Sequence, residues 1–117
     1  MFVKHSLEIP SQPLPTGVGA SKAVLISDNE APNFAMRKFT IQPGGSMPMH
    51  FNLGEHEQYV LSGKALVIIN EIPHAVSAGD AVFIPAEVLH SYRVTGEEPF
   101  VFLCLVPNKP DETILVN

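Results

Sequence analysis

The chain has 117 residues, 45% of them hydrophobic and 16% charged, enough for one domain with a buried core and too little for two. A net charge of −5, with seven basic residues scattered along the chain, excludes a phosphate-backbone footprint, so nucleic acid is not an expected partner. No apolar run reaches the roughly 18 residues of a membrane span, MFVKHSLEIP lacks a signal-peptide core, and the single cysteine, Cys104, excludes an internal disulfide; a soluble, cytoplasmic protein without a membrane partner is expected.

Eleven prolines and eight glycines interrupt short runs rich in Val, Ile, Phe and Tyr, a composition that favours strands over helices. In chain order, Phe2 to Ile9 reads as a short extended piece, free or paired with a second subunit, and SQPLPTGVG as an irregular connection. A strand is expected from Ala23 to Ser27, then the turn DNEAPN, then the strand FAMRKFTI. QPGGSMP is expected to force a tight change of direction before MPMHFN. After the loop LGE come HEQYVLSG, turning at Ser62-Gly63, KALVIIN, the tight connection EIP, HAVSAGD, AVFIP, VLHSYRV and FVFLCLVP. Eight or more short strands at this spacing, without an internal repeat, predict an all-β sandwich or barrel. Residues 1–22 are expected to form an arm, 23–107 the core and 108–117 a tail.

Chemistry concentrates on three of the five histidines. In an extended strand residues 48, 50 and 52 share a face, so His50 and Asn52 are expected to point the same way. By the same alternation His56, Gln58 and Val60 share a face, with Glu55 and Glu57 flanking His56 and Glu57 directed outward. His90 lies between apolar neighbours, where an unpaired ring is costly to bury. Three buried imidazoles from different strands each need a partner, and one shared divalent cation serves them all. The alternative is a lumen in which these rings are hydrogen-bonded without metal. Gln58 and Tyr92 are expected to line the same cavity and to contact a small-molecule substrate. Cys104 reads as a small buried hydrophobe, and His5 and His74 as surface residues. Because ligating histidines are neutral, metal affinity is expected to fall below about pH 6.

Gly44, His50, Asn52, His56 and Gly63 stand at the spacing of the first cupin motif, and Gly79, Pro85 and His90 at that of the second. From APNFAMRKFT through GEHEQYVLSGK to FLCLVP the chain resembles small one-domain manganese cupins with four histidine ligands. The resemblance implies a jelly-roll barrel (a double-stranded β-helix) and a homodimer. It also implies a divalent ion, Mn first and Fe, Ni or Zn as alternatives, held by His50, His56 and His90. Asn52 stands where the family has the second histidine of its His-x-His pair, Glu87 where it has glycine and Val94 where it has asparagine. Asn52 is then a weak amide-oxygen ligand, a residue orienting a water, the mark of an open coordination position, or the remnant of a lost ligand. The first functional expectation is a metal-dependent oxidoreductase of dioxygenase type, with Asn52 and Gln58 orienting and Tyr92 donating a proton. The others are a non-catalytic binding module and a metal-independent sugar isomerase or epimerase using His50 or His90 with Tyr92.

Overall fold

A single 19-residue strand, Phe34–Asn52, organises the molecule. The computed structural model describes residues 1–109 and 112–116. Its strands are β1 (Gln12–Pro13), β2 (Val18–Ile26), β3 (Phe34–Asn52), β4 (His56–Ser62), β5 (Lys64–Ile69), β6 (Ile72–Ser77), β7 (Ala81–Ile84), β8 (His90–Val94), β9 (Phe100–Pro107) and β10 (Thr113–Leu115). The only helical piece among the described residues is a 3-10 turn, Ser6–Glu8, inside the expected extended segment. No helix is long and apolar enough to cross a membrane.

The expected break at QPGGSMP is absent: Pro43, Gly44 and Gly45 lie within β3, which bends there and continues. The first half, Phe34 to Ile41, pairs with β2 on one side and β9 on the other. The second half pairs with β8 and β10. From these pairings the sheet continues as β9–β4–β7 in one direction and β8–β5–β6 in the other, and β6 comes back against β4. One strand shared by two sheets that fold over each other is a jelly roll, an all-β closure that leaves few exposed edges. Strand β2 begins at Val18, and β10 at the C-terminal end pairs with β3. Of the expected tail, residues 110, 111 and 117 lie outside the described residues.

Alternation along each strand sorts the interior into two zones. Phe39, Ile41, Val60, Phe100 and Phe102 fill one end, with Phe39 and Phe102 stacked at a ring separation of 5.1 Å. On β9 the inward set is Phe100, Phe102, Cys104 and Val106, while Val101, Leu103 and Leu105 face outward and are half-buried. At the other end the inward positions are polar: His50, Asn52, His56, Gln58 and His90 are all buried. The β5–β6 connection is tighter than EIP suggested, a two-residue turn at Asn70 and Glu71, both with positive φ, as twisted hairpins require.

Candidate metal centre

His50 and His90 face each other directly across the β3–β8 pairing. Their ring centres are 4.2 Å apart, and His90 is 1% exposed. The register shifts between Met47 and His50, so the inner face of β3 reads Met47, His50, Asn52 rather than the expected 48, 50, 52. Pro48 points outward and is exposed, and Met47 packs on the core in its place. This bulge has a chemical use. It sets the Pro48 carbonyl 2.7 Å from His50 Nδ1, and on β8 the Val88 carbonyl stands in the same relation, 2.9 Å from His90 Nδ1. A carbonyl only accepts, so both rings carry their proton on Nδ1 and keep a lone pair on Nε2. That is the tautomer a metal ligand needs, with the orienting second hydrogen bond already made.

Burial enforces neutrality. It is the main cause pushing His90 down to about 4, helped by the charges His50 and His56 would carry. Burial likewise lowers His50, opposed by its bond to Pro48. His56 comes from the start of β4, its ring centre 6.4 Å from that of His90. With metal–nitrogen bonds of about 2.1 Å, two rings on one ion have centres at most about 6.5 Å apart, so His56 sits at the outer limit of the set. Among the described residues no three His, Cys, Asp or Glu side chains converge closely enough as they stand to enclose an ion. In donor chemistry the residues fit one; in position, the His56 ring, already on the inner face, has to move closer to His90.

Asn52 adds a further observation. Its Nδ2 donates to Thr113 Oγ1 at 2.7 Å, and its Oδ1 is buried without a partner. A buried amide oxygen left in this state lacks about 1–3 kcal/mol of compensation. Glu87, which stands for the motif glycine, has φ +66°, the left-handed conformation a glycine adopts freely, and its N–H donates to the Asn52 carbonyl at 2.8 Å. Two of the three motif departures therefore touch. Glu87→Gly is expected to stabilise the protein by about 1 kcal/mol, measured as a rise in the urea midpoint; an unchanged midpoint would mean the Glu87 side chain compensates the strain.

Behind the imidazoles, Gln58 Nε2 donates to Tyr92 Oη at 2.7 Å and approaches Cys104 Sγ at 3.7 Å. Burial keeps the Tyr92 phenol protonated well beyond its ordinary range, so it can donate a proton and does not act as a base near neutrality. Tyr92 stands edge-on to His90 and stacks on Phe102. Cys104 is fully buried, as expected of a small hydrophobe, yet Arg37 Nη2 donates to its sulfur at 3.2 Å. Glu55 and Glu57 are exposed outside the lumen, and His5 and His74 lie on the surface. Val94, where the motif has asparagine, packs in the core opposite Ala65. Two lumen residues went unrecognised among the scattered basic residues, Lys22 and Arg37. The available signal was Arg37 itself, a charge on the buried parity of Ala35, Phe39 and Ile41.

Comparison with known proteins agrees with this architecture. The family model "Cupin domain" matches residues 37–106. A polyketide cyclase, RemF, from Streptomyces resistomycificus superposes with a TM-score of 0.88 at 26% identity, covering 100% of this chain and 87% of that one. 1-Methylthio-D-xylulose 5-phosphate methylsulfurylase of Rhodospirillum rubrum is 28% identical over 92 residues, 79% of this chain and 58% of its own length. Oxalate decarboxylase OxdC of Bacillus subtilis is 36% identical over 70 residues, 55% of this chain and 18% of its own. The chain thus spans less than two thirds of the length of these curated relatives. The chain belongs to the cupin domain family.

Proposed function

We propose that this cupin binds one divalent metal ion through His50, His56 and His90, with Asn52 Oδ1 beside it, and acts on a small organic molecule in the lumen as an oxidoreductase of dioxygenase type. The observation that carries the reading is the pair of buried imidazoles fixed by backbone carbonyls with their Nε2 lone pairs unprotonated, next to the orphaned Asn52 oxygen. A bound divalent ion would supply Lewis acidity and positions for exogenous ligands. Gln58 orients the Tyr92 hydroxyl, and Tyr92 holds the proton that a developing oxyanion takes up. Manganese is the first choice of ion, with iron, nickel and zinc as alternatives.

Asn52→His tests the site directly. The new imidazole can keep the Thr113 contact through Nδ1–H and present Nε2 inward, so Mn2+ affinity by titration calorimetry is expected to rise on the order of tenfold. Unchanged affinity would show that Asn52 faces away from the ion. Metal-dependent turnover should appear on a panel of carbonyl, enol and phenolic compounds, vanish on chelation and return with metal.

The 6.4 Å between the His56 and His90 ring centres favours a second reading, a lumen that binds or isomerises its ligand without metal. Turnover that survives chelation selects it. A homodimer is also proposed, through the outer face of β4, β7 and β9. Tyr59 and Phe83 are 47% and 57% exposed there and Phe34, at the adjoining end of β3, 55%, large apolar side chains around Glu57 that suit a second copy. Phe83→Glu should then yield monomer in sedimentation equilibrium; a monomeric wild type contradicts the proposal.

A further inference from the structure

Beside the lumen, and sharing Arg37 and Asn52 with it, lies a cavity of about 940 Å3 whose wall also includes Lys22, Lys109 and Thr113. That size suits a small organic ligand. Register explains how two cations come to line it. Lys22 pairs opposite Phe39, which faces the core, so Lys22 takes the inner face of β2. Arg37 pairs opposite Cys104 on β9, which in turn pairs with Gln58 on β4, a row of three inward side chains. Asn52 belongs both to this cavity and, through His50, to the imidazole cluster.

Among the described residues neither Lys22 nor Arg37 forms an ion pair. Lys22 pairs with no carboxylate among the described residues, where the one ion pair is Lys4–Glu30 on the surface. Arg37 lies over the Phe39 ring at 5.1 Å and spends Nη2 on Cys104, while its Nε is buried with no acceptor. Cys104 does not neutralise the pair, because burial raises the thiol and keeps it protonated. Lys22 is lowered by burial first and by the Arg37 charge second, so the two repel in partly dry surroundings. Among the described residues lining the cavity, Lys22, Arg37 and Lys109 face Asp28 as the one acidic side chain, a local positive surplus in a chain of net charge −5. Such an arrangement focuses a positive potential on the cavity mouth.

We propose that Lys22 and Arg37 form an oxyanion site that holds the carboxylate or phosphate of the lumen ligand. An oxyanion between them removes the repulsion, gives Arg37 Nε its missing acceptor and makes charge-assisted bonds to both. From that anchor the lane Arg37–Cys104–Gln58–Tyr92 leads toward the imidazoles, so the anionic group is held away from the reacting end. The inference rests on the reading of the lumen as the ligand chamber and not on the metal.

Titration calorimetry of the chelator-treated full chain, with inorganic phosphate and separately with malonate, tests it without a metal to bind the anion. Saturable binding is expected, weakened about tenfold or more by Lys22→Gln and by Arg37→Gln. Binding of phosphate alone assigns a phosphate ester, of malonate alone a carboxylic acid, and of both the shared chemistry. Circular dichroism checks that each variant folds; if Arg37→Gln does not, Lys22→Gln at the half-exposed rim decides alone. No binding of either anion, or binding that the folded variants leave unchanged, overturns the site. Mn2+ uptake by the same preparations separates the two ideas: a chain that takes up metal but no anion loses this inference and keeps the metal reading.

Discussion

Acidified from pH 6.5 to pH 4, the metal-free protein is expected to lose on the order of 3 kcal/mol of unfolding free energy through His90 alone. The ring is held neutral to about pH 4 in the fold, while in the unfolded chain it takes up a proton near pH 6.5. Between those values the unfolded state binds more protons, so stability is fully present above pH 6.5 and drains away as pH falls toward 4. His50, lowered for the same reason, acts in the same direction. Glu57 acts in the opposite one, since its bond with Glu55, then burial, then the Glu55 charge raise it to about 7, but it lies largely in solvent and its contribution is screened. Urea unfolding at pH 7, 5.5 and 4, with and without His90→Gln, isolates the histidine: the variant should flatten the profile. An equally steep profile in the variant would remove His90 as its source. The same depression removes proton competition at His90 until well below pH 6, so His90 adds to the fall in metal affinity only as pH nears its own value.

Gly63→Ala is expected to cost about 3 kcal/mol and Gly79→Ala about 1 kcal/mol, although both glycines have positive φ, +83° and +96°. The difference is space. A Cβ on Gly63 would lie 2.3 Å from the Pro99 carbonyl oxygen and 2.8 Å from Phe100 Cα, backbone that cannot move without shifting the buried Phe100 ring. A Cβ on Gly79 meets nothing within 4 Å and brings only the conformational cost. Urea midpoints of the two variants measure this, and equal losses would mean that the β4–β5 turn yields.

Much of the site was legible because period-two alternation carries it. His56, Gln58 and Val60 fall on the buried side of β4, and His90 and Tyr92 on that of β8, because the alternation is unbroken over these positions and the register shift in β4 comes only after Val60. On β3 the same rule placed His50 with Asn52 and failed one step earlier, at Pro48. A bulge leaves no composition mark beyond the proline itself, and only pairing with β8 reveals it. The Gly44-Gly45 pair read as a reversal because glycines usually mark turns; here β2 and β9 hold the first half of β3 and β8 and β10 the second, so the strand bends without ending. Lys22 and Arg37 were hidden for a different reason. Parity along β3 marks Arg37 alone, and its meeting with Lys22 depends on two strands in register, which no local pattern encodes.

The most direct test of the metal reading is elemental analysis of the protein purified without added metal or a histidine-rich tag, beside His90→Ala. Near one equivalent of manganese, iron, nickel or zinc in the wild type, lost in the variant, is the result predicted. No metal in either protein, with no uptake on titration, would contradict it and leave a metal-free lumen in which the buried imidazoles serve a bound organic ligand.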